Sequence, residues 1–125
     1  MAGVIIVDDS SFMRKRIAKS LEEAGFEITG HASDGAEGFR LYKDVHPDFV
    51  VMDITMRGTD GIEGAAMIKE YDPEARIIFM SLVSDPAVRD RALALGALGF
   101  VGKDQNDQLI SLMCGKKEQN NGKDR

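Results

Sequence analysis

At 125 residues, with 43% hydrophobic and 30% charged side chains, the chain is long enough for one two-sided core and has the composition of a single globular domain. A net charge of −5 argues against direct binding of nucleic acid, which needs a basic surface, and is compatible with cations or basic protein surfaces. No apolar run approaches the ~18 residues of a membrane span and no signal peptide precedes the first apolar run. A single cysteine permits no internal disulfide, so a reducing, cytoplasmic setting is expected.

Short β-branched runs at Val4–Val7, Phe49–Met52, Ile77–Met80 and Phe100–Val101 read as strands, with a weaker one at Glu27–Ala32. Their apolar residues do not alternate with polar ones, the pattern of strands covered on both faces by helices. Between them lie stretches of helical spacing. Ser10 can cap a first helix with Met13, Ile17, Leu21 and Ala24 on one face and Gly25 closing it. Asp34 with Glu37 forms a capping box for a second helix ending before Pro47. Asp60 opens a third, containing Ile62, Ala65, Ala66 and Ile68 and ending near Asp72-Pro73. Asp85 and Pro86 open a fourth that runs to Gly96, and a fifth spans about Gln105 to Met113. Cys114, at the end of this stretch and without a basic or His cluster, is expected to be a buried or half-buried, inert thiol. The five-fold strand–helix rhythm predicts a doubly wound α/β domain over residues 1–115, followed by a polar, disordered tail over 116–125.

In such a sheet, ligands bind outside the carboxyl ends of the strands. The first strand ends in Asp8-Asp9, the third in Asp53 and the fourth in Ser81, and Lys103 follows the fifth. Three carboxylates so placed either acquire raised pKa values or admit a cation, because Lys103 offsets only one of the three charges. All-oxygen ligands with incomplete coordination suit Mg²⁺. An Asp nucleophile, a metal, a Lys and a hydroxyl are together the parts of a phosphoryl-transfer site. Helix capping is a competing reason for Asp9 alone, but not for Asp53, which directly follows an apolar strand.

The segments Val4-Ile5-Ile6-Val7-Asp8-Asp9-Ser10, Asp34-Gly35, Pro47-Asp48-Phe49-Val50-Val51-Met52-Asp53-Ile54-Thr55-Met56, Asp60-Gly61, Ile77-Ile78-Phe79-Met80-Ser81 and Gly96-Ala97-Leu98-Gly99-Phe100-Val101-Gly102-Lys103 occur in that order. From Gly3 to Met113 the chain thereby resembles a response-regulator receiver domain of two-component signalling, of the chemotaxis-regulator type. The resemblance implies a flavodoxin-like five-stranded parallel sheet of order 2-1-3-4-5. It implies Asp53 as phosphoacceptor, with Asp9, Asp53 and the Thr55 carbonyl holding Mg²⁺ (Mn²⁺ as substitute) and Asp8 acting largely through water. Lys103 would pair with phosphoryl oxygens, Ser81 would be the switch hydroxyl, and Phe100 the switch aromatic that alters the face of helix four, strand five and helix five. The implied donor is a phosphohistidine on a sensor histidine kinase or phosphotransfer protein, and the only catalysis is of the domain's own phosphorylation and dephosphorylation.

The chain departs from the family pattern at Arg57 and Asp104, where prolines are usual, at Leu82, where a small residue is usual, and at Phe100, where tyrosine is frequent. Without proline, the Lys103–Asp104 bond is expected to be trans. Two further readings are a receiver-shaped interaction module that carries no phosphate and the receiver portion of a longer regulator. A Mg²⁺-dependent phosphatase fits less well, because its two acids would be spaced rather than adjacent. A flavin site is disfavoured by the Asp-Asp-Ser-Ser loop, which lacks a Gly- and Thr-rich amide cradle.

Overall fold

The computed structural model describes residues 1–56, 58–82 and 85–115; Arg57 and the 116–125 tail lie outside the described residues. The strands are β1 (Gly3–Val7), β2 (Glu27–Ala32), β3 (Phe49–Asp53), β4 (Ile77–Ser81) and β5 (Gly99–Gly102). They alternate with α1 (Ser11–Glu23), α2 (Gly35–Val45), α3 (Gly61–Tyr71), α4 (Pro86–Ala94) and α5 (Asn106–Met113). All neighbouring strands pair in parallel, in the order β2-β1-β3-β4-β5. The expected doubly wound topology is therefore the one observed.

The apolar strands fill both layers because successive side chains point to opposite faces. Ile5, Val7, Val50, Met52, Ile77 and Phe79 pack on one face with Tyr42, Ala65, Ile68 and Ala92 from α2, α3 and α4. Val4, Ile6, Phe49, Val51, Ile78 and Met80 pack on the other with Ile17, Leu21, Leu109 and Met113 from α1 and α5. The weaker β2 is an edge strand in which Ala32 is the one buried residue.

Ser10, Asp34, Asp60 and Asp85 each cap a helix as their sequence positions suggested, their side chains accepting from Met13, Glu37, Glu63 and Ala87 amides. These caps place the helix starts, and hence the loops over the carboxyl edge, at fixed points along the chain. Two expectations fail at helix ends. Ala24 is exposed as the C-cap of α1, with Ala18 taking its place on the buried face. Cys114 is exposed rather than buried, because α5 turns its last core residue, Met113, inward and ends there.

Candidate functional site

Asp8 follows β1, Asp53 closes β3, Ser81 closes β4 and Lys103 follows β5, so the parallel register delivers all four to one edge of the sheet. The adjacent strands β4 and β5 are tied past their ends by the Lys103 amide donating to the Ser81 carbonyl at 3.0 Å. The Lys103 ammonium lies 2.9 Å from Asp8 Oδ2 and 3.1 Å from Asp53 Oδ2. All three groups are buried, Asp53 at 3% exposure. Asp8 also accepts the Ser10 amide through Oδ1 at 2.9 Å, and Asp53 Oδ1 accepts the Thr55 amide at 3.3 Å. Asp9 stands exposed at the rim.

Asp9, Asp53, Thr55, Ser81 and Lys103 line a cavity of about 410 Å³, with Met13 and Leu82 as its apolar walls. The Lys103–Asp104 bond is trans, as expected without proline: among the described residues no peptide bond is cis. Lys103 nevertheless reaches both acids. Leu82 is 81% exposed, so it stands at the cavity mouth rather than closing it. Phe100 is half-buried and borders a second cavity of about 510 Å³ together with Ser81, Leu82 and Lys103.

One ammonium is shared between the two buried carboxylates of Asp8 and Asp53. Burial, reinforced by the Asp8 charge, pushes the Asp53 carboxyl up to about 6 against the opposing pull of Lys103 and the Thr55 amide. Burial lowers the Lys103 pKa, but its contacts with Asp8 and Asp53 outweigh this and hold it above its ordinary value. Ligand oxygens of Asp8, Asp9 and Asp53 lie within 4.8 Å of one another. Beyond the ammonium, the buried Asp8 Oδ2 and Asp53 Oδ2 meet no hydrogen-bond donor among the described residues. Hard oxygen donors with surplus negative charge fit a divalent cation such as Mg²⁺.

A cation bound at Asp53 would compete with a proton there. Below about pH 6 the metal-free carboxyl is protonated, so the apparent Mg²⁺ affinity should fall as pH drops through 6, by up to about 10-fold per unit for one proton. Stability moves the other way. The folded metal-free protein holds this proton when the unfolded chain has released it, so it should gain stability as pH falls through 6 toward the ordinary carboxyl value. Calorimetric Mg²⁺ titrations across this range check the first claim, and a flat dissociation constant contradicts it.

Two contributors were not read from the sequence. Arg14 donates from Nη1 to the Asp8 carbonyl, securing the peptide that leads to Asp9, and no local pattern marks it. Gly61 starts α3 hard against β3, its amide donating to the Ile54 carbonyl at 3.0 Å. A Cβ at Gly61 would collide with the Asp53 carbonyl oxygen, so only glycine allows the helix to begin there.

The sequence model for the response regulator receiver domain matches residues 4–113. This chain belongs to the response-regulator receiver family. Among its relatives, protein CcdB of Bacillus subtilis is 41% identical over 103 residues, which is 82% of this chain and 86% of the relative. The chemotaxis protein CheY of Thermotoga maritima is 40% identical over 100 residues, covering 80% and 83% of the two chains. A chain from the CheX–CheY–BeF3–Mg²⁺ complex of Borrelia burgdorferi superposes with a TM-score of 0.85 at 32% identity, over 92% of this chain and 90% of that one. Receivers of this CheY-like family are signalling modules of two-component phosphorelays rather than conventional enzymes. None of the described helices is long and apolar enough to cross a membrane.

Proposed function

We propose that Asp53 accepts a phosphoryl group from a phosphohistidine of a sensor histidine kinase or phosphotransfer protein. The observation that carries the reading is the buried Asp8–Lys103–Asp53 arrangement beside the exposed carboxylate of Asp9. The Asp53 carboxylate attacks phosphorus, the bond from phosphorus to the donor imidazole breaks, and the ring, protonated from solvent on its other nitrogen, leaves neutral. Asp9, Asp53 and the Thr55 carbonyl would hold Mg²⁺ or Mn²⁺, with Asp8 behind them, bound to Lys103 and the Ser10 amide. When bound, the ion offsets the charge of the cluster and of the phosphoryl oxygens. Lys103 exchanges part of its contact with Asp53 for a phosphoryl oxygen, and the Ser81 hydroxyl takes another.

Phosphorylation exchanges the single carboxylate charge of Asp53 for a phosphoryl group of roughly −1.5 to −2, set where Lys103 and Ser81 lie. A shift of Ser81 acts on the cavity it shares with Phe100, giving that ring room to move inward. The element above is thinly held, since Ala92 is the buried residue of α4. Its outer side, with β5 and α5, carries a cavity of about 550 Å³ bordered by Leu93, Leu98, Phe100 and Leu112. This is the face on which a downstream protein partner reads the state of Asp53.

Leu82 narrows the approach to Asp53. The Leu82→Ala protein should therefore be phosphorylated faster by acetyl phosphate and lose the group faster, each several-fold. Equal rates and lifetimes in the two proteins would exclude this role. The central reading is tested by intact mass after incubation with acetyl phosphate and Mg²⁺. One phosphoryl group should be gained by the wild type and none by Asp53→Ala. No gain in either protein favours an interaction module that works without phosphate.

A further inference from the structure

We propose that the N-terminus of α2, through Gly35 and its cap Asp34, positions the β3–α3 loop and so sets the metal affinity of a site it does not touch. The inference rests on the reading that the Thr55 carbonyl, in this loop, is a metal ligand. Thr55 itself is exposed between the buried Ile54 and Met56, so packing holds the near part of the loop while its far part depends on backbone hydrogen bonds.

Besides the buried Ile54 and Met56 and the Ile54 amide's bond to the Met80 carbonyl at 3.1 Å, two further backbone bonds fasten the loop among the described residues. At its base, the Gly61 amide donates to the Ile54 carbonyl at 3.0 Å. Farther out, the Gly35 amide donates to the Thr59 carbonyl at 2.8 Å. The first amide of a helix has no intrahelical partner, so Gly35 can make this bond at no cost to α2. Space demands glycine there, because a Cβ on Gly35 would meet Asp60 O at 2.5 Å and Gly64 Cα at 2.9 Å, backbone on both sides. Gly58 presses on the same helix start: with φ +77°, a Cβ at this position would lie 2.9 Å from Asp34 Oδ2. The direction of the Gly35 amide is held by a reciprocal cap. Asp34 Oδ1 accepts the Glu37 amide at 2.9 Å, and Glu37 Oε1 accepts the Ser33 amide at 2.6 Å.

Mn²⁺ binding, followed by the electron paramagnetic resonance signal of the free ion, tests this in the full chain, with thermal unfolding recorded for each variant. Gly35→Ala and Asp34→Ala should each raise the Mn²⁺ dissociation constant by about 10-fold, the low end of the range for groups that orient a ligand. Asp34→Asn caps as well as aspartate and should restore wild-type affinity, separating the cap from the charge. Gly30→Ala presses α2 elsewhere, its Cβ 2.8 Å from the Leu41 side chain, and should leave Mn²⁺ affinity unchanged. If Gly35→Ala does not fold, the Asp34 pair carries the test. Wild-type affinity in the Ala variants, or an equal loss in Gly30→Ala, overturns the inference while leaving the metal site standing. If the wild type does not bind Mn²⁺, or Asp53→Asn binds it as well as the wild type, the metal reading falls and this inference with it.

Discussion

Replacing Lys103 with Met should cost the metal-free protein about 3–5 kcal/mol at neutral pH, the range for removing one partner of a buried ion pair. The ammonium is the shared counter-charge of Asp8 and Asp53, both of them almost wholly buried. Met keeps the length and apolar stem of Lys but leaves two carboxylates facing each other. Asp53, already raised to about 6, would then take up a proton more readily, so the loss should shrink as pH falls through that value. Mg²⁺ should recover part of the lost stability by supplying the missing positive charge. Urea unfolding with and without Mg²⁺ measures all three effects. A loss under about 1 kcal/mol, the range for solvent-exposed pairs, would contradict the buried geometry. Phosphorylation should be strongly reduced in the same variant, because the ammonium that pairs with a phosphoryl oxygen is gone.

Gly61→Ala should destabilise the fold by about 1–3 kcal/mol, the usual cost of overpacking, and weaken metal binding as well. The added methyl would strike the Asp53 carbonyl oxygen and lie 2.9 Å from its carbon and 3.0 Å from Ile54 Cα. None of these is the far end of a flexible side chain, so α3 or the end of β3 must move. Since β3 ends in Asp53 itself, relief of the clash displaces the carboxylate. Thermal unfolding together with Mn²⁺ titration would show the paired loss. Wild-type stability and affinity in this variant would mean that the start of α3 yields without disturbing the site.

Much of this architecture is legible in the sequence because the determining signals are local. Val4–Val7, Phe49–Met52 and Ile77–Met80 are apolar without alternation, and the structure divides their side chains between two helix-covered layers. Ser10, Asp34, Asp60 and Asp85 announce the helices they cap. The positions of Asp8, Asp53, Ser81 and Lys103 at strand ends follow once the strands are parallel, since parallel strands send their carboxyl ends to one edge. Where the reading failed, the deciding contact was not local. Ala24 and Cys114 continue apolar helical patterns, but each lies just beyond the last turn that packs, and so is exposed. Arg14 reaches the Asp8 carbonyl from α1, and Gly35 and Gly61 matter through the backbones that approach them. A glycine needed for space leaves no periodicity to read. Asp34-Gly35 and Asp60-Gly61 can be spotted as family-like dipeptides, but their reason is visible only when the β3–α3 loop is seen between them.

The most direct test of the account is the chemical position of the phosphoryl group. After incubation with acetyl phosphate and Mg²⁺, borohydride reduces an aspartyl phosphate to homoserine, and peptide mass spectrometry then locates it. Homoserine is expected at position 53 in the wild type, dependent on Mg²⁺ and absent when phosphodonor is omitted. Reduction at Asp8 or Asp9 instead, or at no aspartate, would contradict the assignment of Asp53 as the acceptor.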